Sequence, residues 1–505
     1  MAINQRKAGA LLTYGYIFAN LIVILLYQPI MMRILGQAEY GLYSLILSIS
    51  GYLSVFDLGL GSAIVVFSVK YRAMGKPEAE QQLLGLIKRV FNIIAVIVFA
   101  LGTLIALLLP AFFSGSLSPE ELSKGRILMM IHTVNMSLTM AFSVYTNVVG
   151  AYERFVFAKV MTIVKTLLGP AIMLPTLLMG GRSILISIIL CAVNVICLVS
   201  NKIYCDKELY IKIKYCGIDR ISIPPIVSFA LFIFIAELVD KINWYVDQFI
   251  LGVMRGTEEV AIHAYALNYN QLLLLLSATI AGVLQPKITS MVSRNCSKDE
   301  LTGEMVKYSR IQLYPILLLV IGFAVLGYDF CVWHGGEGYG AAYYVFLALA
   351  LGEIVSITQS VALAVIKAQN KLKFWSLLTL GSAICNIIIS IPLTKYFGCV
   401  GAAAGTGITF ALANGLIMNV YYSKSAGLKM SEYWKEFVKM AVSFVPATAL
   451  TALLKWALHL APMAEFLICG MVIVLLYAAS AFTFVMNKYE KGLILSIINK
   501  VIKKA

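Results

Sequence analysis

The sequence predicts an all-α integral membrane protein of about fourteen transmembrane helices, and three observations carry that prediction. Apolar residues make up 60% of the 505 and charged residues only 13%, with a mean hydropathy of +0.88, whereas soluble chains are about half apolar and about a quarter charged. Runs of roughly 20 apolar residues recur from Ala8 to Met486, each long enough at about 1.5 Å per residue to cross a hydrocarbon core of about 30 Å. Most of the 40 Lys and Arg residues fall in alternate connections between these runs, the distribution that marks cytoplasmic loops. No room is left for a separate soluble domain.

Taken in order, the runs place spans at 8–32, 39–67, 84–110, 125–149, 157–180 and 182–204, then 223–253, 259–290, 309–333, 340–366, 373–396, 400–423, 437–458 and 463–486. The first is too long for a signal-peptide core and lacks a small-residue cleavage site, so it reads as a membrane helix. The net charge of +15 is accounted for by loop residues such as Lys70, Arg72, Lys88, Arg89, Lys202, Arg220, Arg294 and Arg310, which argues against a nucleic-acid partner and places both termini in the cytoplasm. The 9 cysteines show no metal-ligand spacing and no dense extracellular cluster, consistent with reduced, structural thiols.

An internal repeat organises the spans. Ile34-Leu35-Gly36 recurs as Ile250-Leu251-Gly252, and Ala151-Tyr152-Glu153-Arg154 aligns with Ala368-Gln369-Asn370-Lys371, at offsets of about 216 and 217 residues. Two short landmarks with nearly one period predict two pseudo-symmetric six-helix bundles, 1–205 and 223–423. A basic cytoplasmic linker, 206–222, joins them, and 424–505 adds a helix pair and a cytoplasmic tail.

The segment from Arg33 to Tyr43, Arg-Ile-Leu-Gly-Gln-Ala-Glu-Tyr-Gly-Leu-Tyr, resembles the R-x-L-G-x-x-x-Y-G-x-Y stretch after the first helix of bacterial polysaccharide flippases. Phe56-Asp57-Leu58-Gly59-Leu60-Gly61 looks like the family's D-L-G-L-G. Asp247-Gln248-Phe249-Ile250-Leu251-Gly252 is similar to its D-R/K-F-I-L-G, with Gln248 replacing the usual base. With the helix count and repeat, the resemblance covers essentially the whole chain. It points to the Wzx-type oligosaccharide flippases of the multidrug/oligosaccharidyl-lipid/polysaccharide exporter superfamily.

That resemblance implies a multi-pass protein of the bacterial inner membrane with a central cavity open alternately to each side. The substrate it implies is an undecaprenyl-pyrophosphate-linked oligosaccharide, bound for a surface polymer such as O-antigen or capsule and handed to a polysaccharide polymerase. None of the motifs specifies a sugar.

Ionisable residues inside spans are costly, by about 3 kcal/mol on insertion scales, and normally face a cavity or a partner. In the seventh span Glu237, Asp240, Lys241, Trp244, Asp247 and Gln248 follow the spacing of one helical face, too polar for lipid. Glu237 and Lys241 either neutralise one another as an i, i+4 pair or handle substrate and protons. Asp240 and Asp247 are candidates to bind a cation, take a proton or meet sugar hydroxyls. Trp244 can stack on a pyranose ring or serve as packing or an interfacial anchor.

A pyrophosphate needs fixed positive groups at membrane depth; Lys165, Lys241 and Lys287 lie within spans, the first and last also able to snorkel to the inner surface. Asp57, in a Gly-rich stretch of the second span, and Glu353, near mid-depth in the tenth, complete the candidate substrate and coupling set. His132, Asn135, His263, Asn268, Asn270 and Gln271 add polar groups that also serve as interhelical glue.

The chain has no Walker A motif, so transport would draw on a proton or sodium gradient or on consumption of the product. Two alternatives remain within the superfamily: an ion-coupled multidrug exporter, favoured by the acid excess of the seventh span, and a lipid II or sporulation-type flippase. A membrane glycosyltransferase or ligase would need a catalytic loop cluster. The loops from Phe112 to Lys124 and from Trp333 to Gly340 are too short and sparse for one, so the chain is not expected to be an enzyme.

Overall fold

The computed structural model describes residues 5–215, 223–458 and 462–492. Every regular element among them is helical: α1 Gln5–Ile22, α2 Gln28–Leu35, α3 Gln37–Tyr52, α4 Leu60–Ala73, α5 Pro77–Phe113, α6 Pro119–Ala151, α7 Phe155–Leu178, α8 Ser183–Lys207 and α9 Ile223–Met254. Then come α10 Thr257–Ser293, α11 Lys298–Gly335, α12 Ala342–Thr358, α13 Ser360–Ala368, α14 Leu372–Phe410, α15 Met418–Tyr421, α16 Met430–Ser443, α17 Val445–Leu458 and α18 Pro462–Ser480. The linker residues 216–222, with Cys216 and Arg220, and the tail from 493 onward lie outside the described residues.

Twelve helical stretches among the described residues are long and apolar enough to cross a membrane. One of them, Leu372–Ala426, has 55 residues and breaks at Gly398, where φ is 58°, so by length it makes two crossings. With α10, a further helix of 37 residues that is long enough to cross although it is not among those twelve, the described residues accommodate the fourteen crossings expected. The second crossing is interrupted: α3 passes through a 3-10 turn, Leu53–Asp57, and the left-handed residues Leu58 and Gly59 before α4 begins. Two helix starts are fixed by reciprocal capping boxes, Ser118 with Glu121 and Ser297 with Glu300, each satisfying two otherwise orphaned N–H groups.

The left-handed turns reveal the repeat. Gly36 and Gly256, and likewise Gly75 and Asn295, are 220 positions apart; Glu153 and Asn370, and Tyr210 and Gly427, are 217 apart; Gly180 and Gly398 are 218 apart. All ten have positive φ, and three of the five pairs include a residue other than glycine, so it is the turn that recurs.

At the second landmark the bonding is identical. Tyr152, Glu153 and Arg154 donate to the carbonyls of Val148, Gly150 and Val149, and Gln369, Asn370 and Lys371 donate to those of Val365, Lys367 and Ile366. The first landmark is shifted. Gly36 is the turn residue, but its turn counterpart is Gly256, while Gly252 is helical and admits Leu45 and Phe113, whose atoms would stand 2.7 and 3.0 Å from an added Cβ. Leu58 and Gly59, by contrast, have no left-handed counterpart at this offset.

Packing groups the chain into two compact units, Met1–Ala264 with Thr394–Ala402 and Tyr265–Leu393 with Ala403–Ala505. The first is built on α6, which packs against α3, α4, α5 and α8, with α1 on α7 and α9 on α3 and α4. Its core includes Leu45, Ile64, Phe91, Leu128 and Val144. The second is built on α11, against α12, α16, α17 and α18, with Phe346, Tyr433 and Phe444 fully buried.

Candidate functional site

The first unit contains a polar path that begins on α6. Asn135, Thr139, Ser143 and Asn147 occur every fourth residue, so they line one helical face over about 18 Å. At one end of the path Lys165 of α7 donates from Nζ to Asn194 Oδ1 of α8 at 2.7 Å. The Asn194 amide in turn donates to Asn135 Oδ1 at 2.7 Å and to Thr139 Oγ1 at 2.9 Å. One turn further along, Asn147 donates to Ser143 Oγ at 3.1 Å, and Ser143 donates to Asp57 Oδ1 at 3.3 Å. Amides, hydroxyls and an ammonium thus replace the apolar contacts that the interior of a membrane bundle otherwise supplies.

Asp57 sits where the second crossing is broken. Its other oxygen accepts the Gly61 N–H at 3.1 Å, capping α4 from within the span. α9 passes close by: a Cβ on Gly59 would stand 2.5 Å from the Ala230 carbonyl and 2.7 Å from Ile233. On the next turn of α9, Glu237 lies in the field of Asp57, Lys241 and Asp240. Lys241 also holds its ammonium 5.5 Å from the centre of the Tyr245 ring, a cation–π distance. Tyr245 meets Tyr52 edge-on at 5.7 Å and occupies the space left by Gly51, 2.6 Å from where a Cβ would be.

Asp57, Asp240 and Lys241 thus lie within electrostatic reach of Glu237, and the polar face of α6 runs from Asp57 toward Lys165. Trp244 is half-buried on α9, and Asp240 is exposed. Asp247 lies ten residues beyond Glu237, about 15 Å along α9. It is buried, with Oδ2 3.6 Å from His263 Nε2, and lies within electrostatic reach of Tyr52.

In the second unit Glu353 is buried and accepts from Asn270 Nδ2 at 3.0 Å. Lys287 is exposed, forms an ion pair with Glu304 and lies 3.4 Å from the Tyr308 hydroxyl. Its charge is taken up locally.

Sequence reasoning picked out Asn135 but missed Thr139, Ser143, Asn147 and Asn194. The fourfold spacing on α6 was a readable signal, because polar side chains at i+4 in an apolar span form one continuous polar face. Asn194 had no such signal: it is a single amide in an apolar helix, and only packing gives it three partners.

A family model described as polysaccharide biosynthesis protein matches residues 6–292. Among curated proteins, the chain is similar to a probable low-salt glycan biosynthesis flippase, Agl15 of Haloferax volcanii, at 23% identity over 36% of this chain and 38% of that one. It is also similar to the uncharacterized membrane protein EpsK of Bacillus subtilis, at 22% over 50% and 51%. The chain thus spans about four tenths and half of the length of these relatives.

Among solved structures it resembles a lipid II flippase, MurJ, in an inward closed conformation, with a TM-score of 0.70 and 15% identity over 95% of this chain and 98% of that one. An inward-facing multidrug resistance transporter of the MATE family follows, at a TM-score of 0.67 and 11% identity over 83% and 99%. At these identities the structural likeness establishes the fold alone. The family model covers more than half of the chain, and on that match this multi-pass membrane protein belongs to the polysaccharide biosynthesis protein family.

Proposed function

We propose that the protein is a flippase that moves undecaprenyl-pyrophosphate-linked oligosaccharide units from the inner to the outer leaflet of the bacterial inner membrane by alternating access. The observation that carries this reading is the polar path from Lys165 through Asn194 and the α6 face to Asp57, Glu237 and Lys241. A diphosphate entering a span loses its hydration and needs cations whose positions are already set; Lys165 and Lys241 stand at the two ends of the path. Sugar hydroxyls both donate and accept, and the amides and hydroxyls of Asn135, Thr139, Ser143 and Asn147 do the same. The polyprenyl tail stays in lipid throughout.

Asp57 and Glu237, two carboxylates near one ammonium, are the proposed coupling groups for a proton or sodium gradient, and Glu353 is the corresponding group of the second unit. The named function of Agl15 supports a glycan cargo, and the fold shared with MurJ and the MATE transporter supports transport rather than catalysis. A polysaccharide polymerase would consume the product.

A second reading has its own support. Asp57, Glu237 and Asp240 outnumber Lys241 around the broken helix, a polarity suited to an organic cation in an ion-coupled exporter. Proteoliposomes holding the full chain separate the two. Transfer of a fluorescent undecaprenyl-diphosphate glycan without transfer of an organic cation supports the flippase. Movement of the cation alone overturns it.

A further inference from the structure

A cavity in the second unit has the chemistry of a lipid headgroup site. Lys455 of α17 donates to the Val325 carbonyl of α11 at 3.0 Å and to the Asp329 carboxylate, and its Nζ lies 3.8 Å from Glu465 of α18. One ammonium between two carboxylates leaves a net charge of −1. These three groups and Trp456 rim a cavity of about 580 Å³, large enough for a headgroup and the first part of an acyl chain. Ala324 of α11 and Ala452 of α17 also line it, small residues that leave room for an acyl chain.

The surroundings say where an occupant comes from. Leu450, Leu453 and Trp456 on α17 are exposed, Trp456 by 76%, and on a membrane-spanning helix such a surface faces lipid, with Trp at the headgroup level. A net negative charge there is costly unless a cation completes it. Asp329, with 41% of its side chain exposed, keeps acceptor capacity toward the cavity.

We propose that this cavity binds the headgroup of an aminophospholipid of the phosphatidylethanolamine type. The primary ammonium donates to Asp329 and Glu465 and lies against the Trp456 ring. The phosphodiester, two carbons away, meets the Lys455 ammonium, which has three donors. An acyl chain runs over Ala324 and Ala452. An anionic glycerol headgroup brings no cation to the two carboxylates, and a choline headgroup brings a charge without N–H donors, so both bind more weakly. The site is independent of the transport path, and neither proposal needs the other.

Native mass spectrometry of the full chain in detergent tests this. It is titrated with phosphatidylethanolamine, phosphatidylcholine and phosphatidylglycerol of matched chains, and with soluble glycerophosphoethanolamine to separate lipid binding from headgroup binding. The wild-type protein should retain one phosphatidylethanolamine about tenfold more strongly than phosphatidylglycerol, the worth of one charge-assisted hydrogen bond. The soluble headgroup should not compete at equal concentration. The preference should vanish in Asp329→Asn with Glu465→Gln and weaken in Trp456→Ala, whose exposed side chain can be removed without disturbing the fold. Equal retention of the two lipids by the wild type, or an unchanged preference in Trp456→Ala, overturns the site. Competition by the soluble headgroup overturns the assignment to a lipid.

Discussion

Arg310 and Glu490 form a buried two-point ion pair, with Nε 2.7 Å from Oε1 and Nη2 2.7 Å from Oε2. Both side chains are almost fully buried, and the rest of each is satisfied. Arg310 also contacts Glu436 and donates to the Val485 carbonyl at 2.8 Å. Glu490 accepts from the Tyr314 hydroxyl at 3.0 Å and from the Asn487 N–H at 3.0 Å. The pair thus fastens the segment after α18, and α16 through Glu436, to α11.

Breaking one side of such a pair strands the other charge, at a cost of about 3–5 kcal/mol. Arg310→Ala should therefore lower the thermal unfolding midpoint in detergent far more than Lys429→Ala, whose pair with Asp299 is exposed. A shift no larger than that control would show that the clasp is not structural.

The same pair predicts a pH dependence. Burial pushes the Glu490 carboxyl up, but hydrogen bonds from Arg310, the Asn487 N–H and Tyr314, together with the Arg310 charge, outweigh it and hold the group below its ordinary value. A carboxyl depressed in the folded state stabilises it fully above the unfolded value of about 4.3 and loses that contribution as pH falls through the folded value. The unfolding midpoint of wild type minus that of Glu490→Gln should be constant from about pH 7 to pH 5 and shrink below about pH 4. A difference that grows on acidification contradicts the assignment.

Matched turns permit a matched comparison. Glu153 and Asn370 hold the same left-handed turn, at φ 52° and 56°. Left-handed backbone costs a residue with an ordinary side chain about 1 kcal/mol relative to glycine, and asparagine less. The change to glycine should therefore relieve about 1 kcal/mol of backbone strain in Glu153→Gly and less in Asn370→Gly, measured as unfolding midpoints and set against any contact the Glu153 side chain gives up. Destabilisation by Glu153→Gly would mean that its side chain has a role beyond the turn.

After α8 the chain turns back at Tyr210 and lies across the start of α5. The Lys214 N–H donates to the Gln81 carbonyl at 3.2 Å, its ammonium lies 3.3 Å from Glu78, and Arg89 contacts the Tyr215 carbonyl. Gly85 makes this fit possible, because a Cβ there would fall on the Lys214 carbonyl. Gly85→Val should lift the strap and speed tryptic cleavage at Lys212 and Lys214. An unchanged digest would mean that the strap tolerates the displacement.

Much of the fold was legible because lipid imposes a simple rule: apolar runs of the right length are helices. The polar face of α9 was legible for the same reason, since Glu237, Asp240 and Lys241 violate the rule together. The break at Leu53–Gly59 was not, because the apolar run 39–67 reads as one continuous span through Asp57-Leu58-Gly59, and nothing in its hydropathy marks the left-handed turn at Leu58 and Gly59. The repeat was legible at Glu153 and Asn370, where sequence and turn coincide. It was misaligned at Gly252, where a shared Ile-Leu-Gly serves close packing while Gly256 makes the turn. Asn194 shows the remaining limit, since a lone buried amide reveals its importance only through partners on two other helices.

We propose that cargo crosses along the path between Lys165 and Asp57. The most direct test is the initial rate of undecaprenyl-diphosphate glycan transfer in proteoliposomes for Lys165→Met, which keeps most of the unbranched apolar stem and removes the terminal ammonium. The unfolding midpoint is measured alongside. Losing one charge-assisted contact of about 1.5–3 kcal/mol predicts a rate at least about tenfold lower, with the midpoint nearly unchanged. A wild-type rate in a folded Lys165→Met protein would contradict the account.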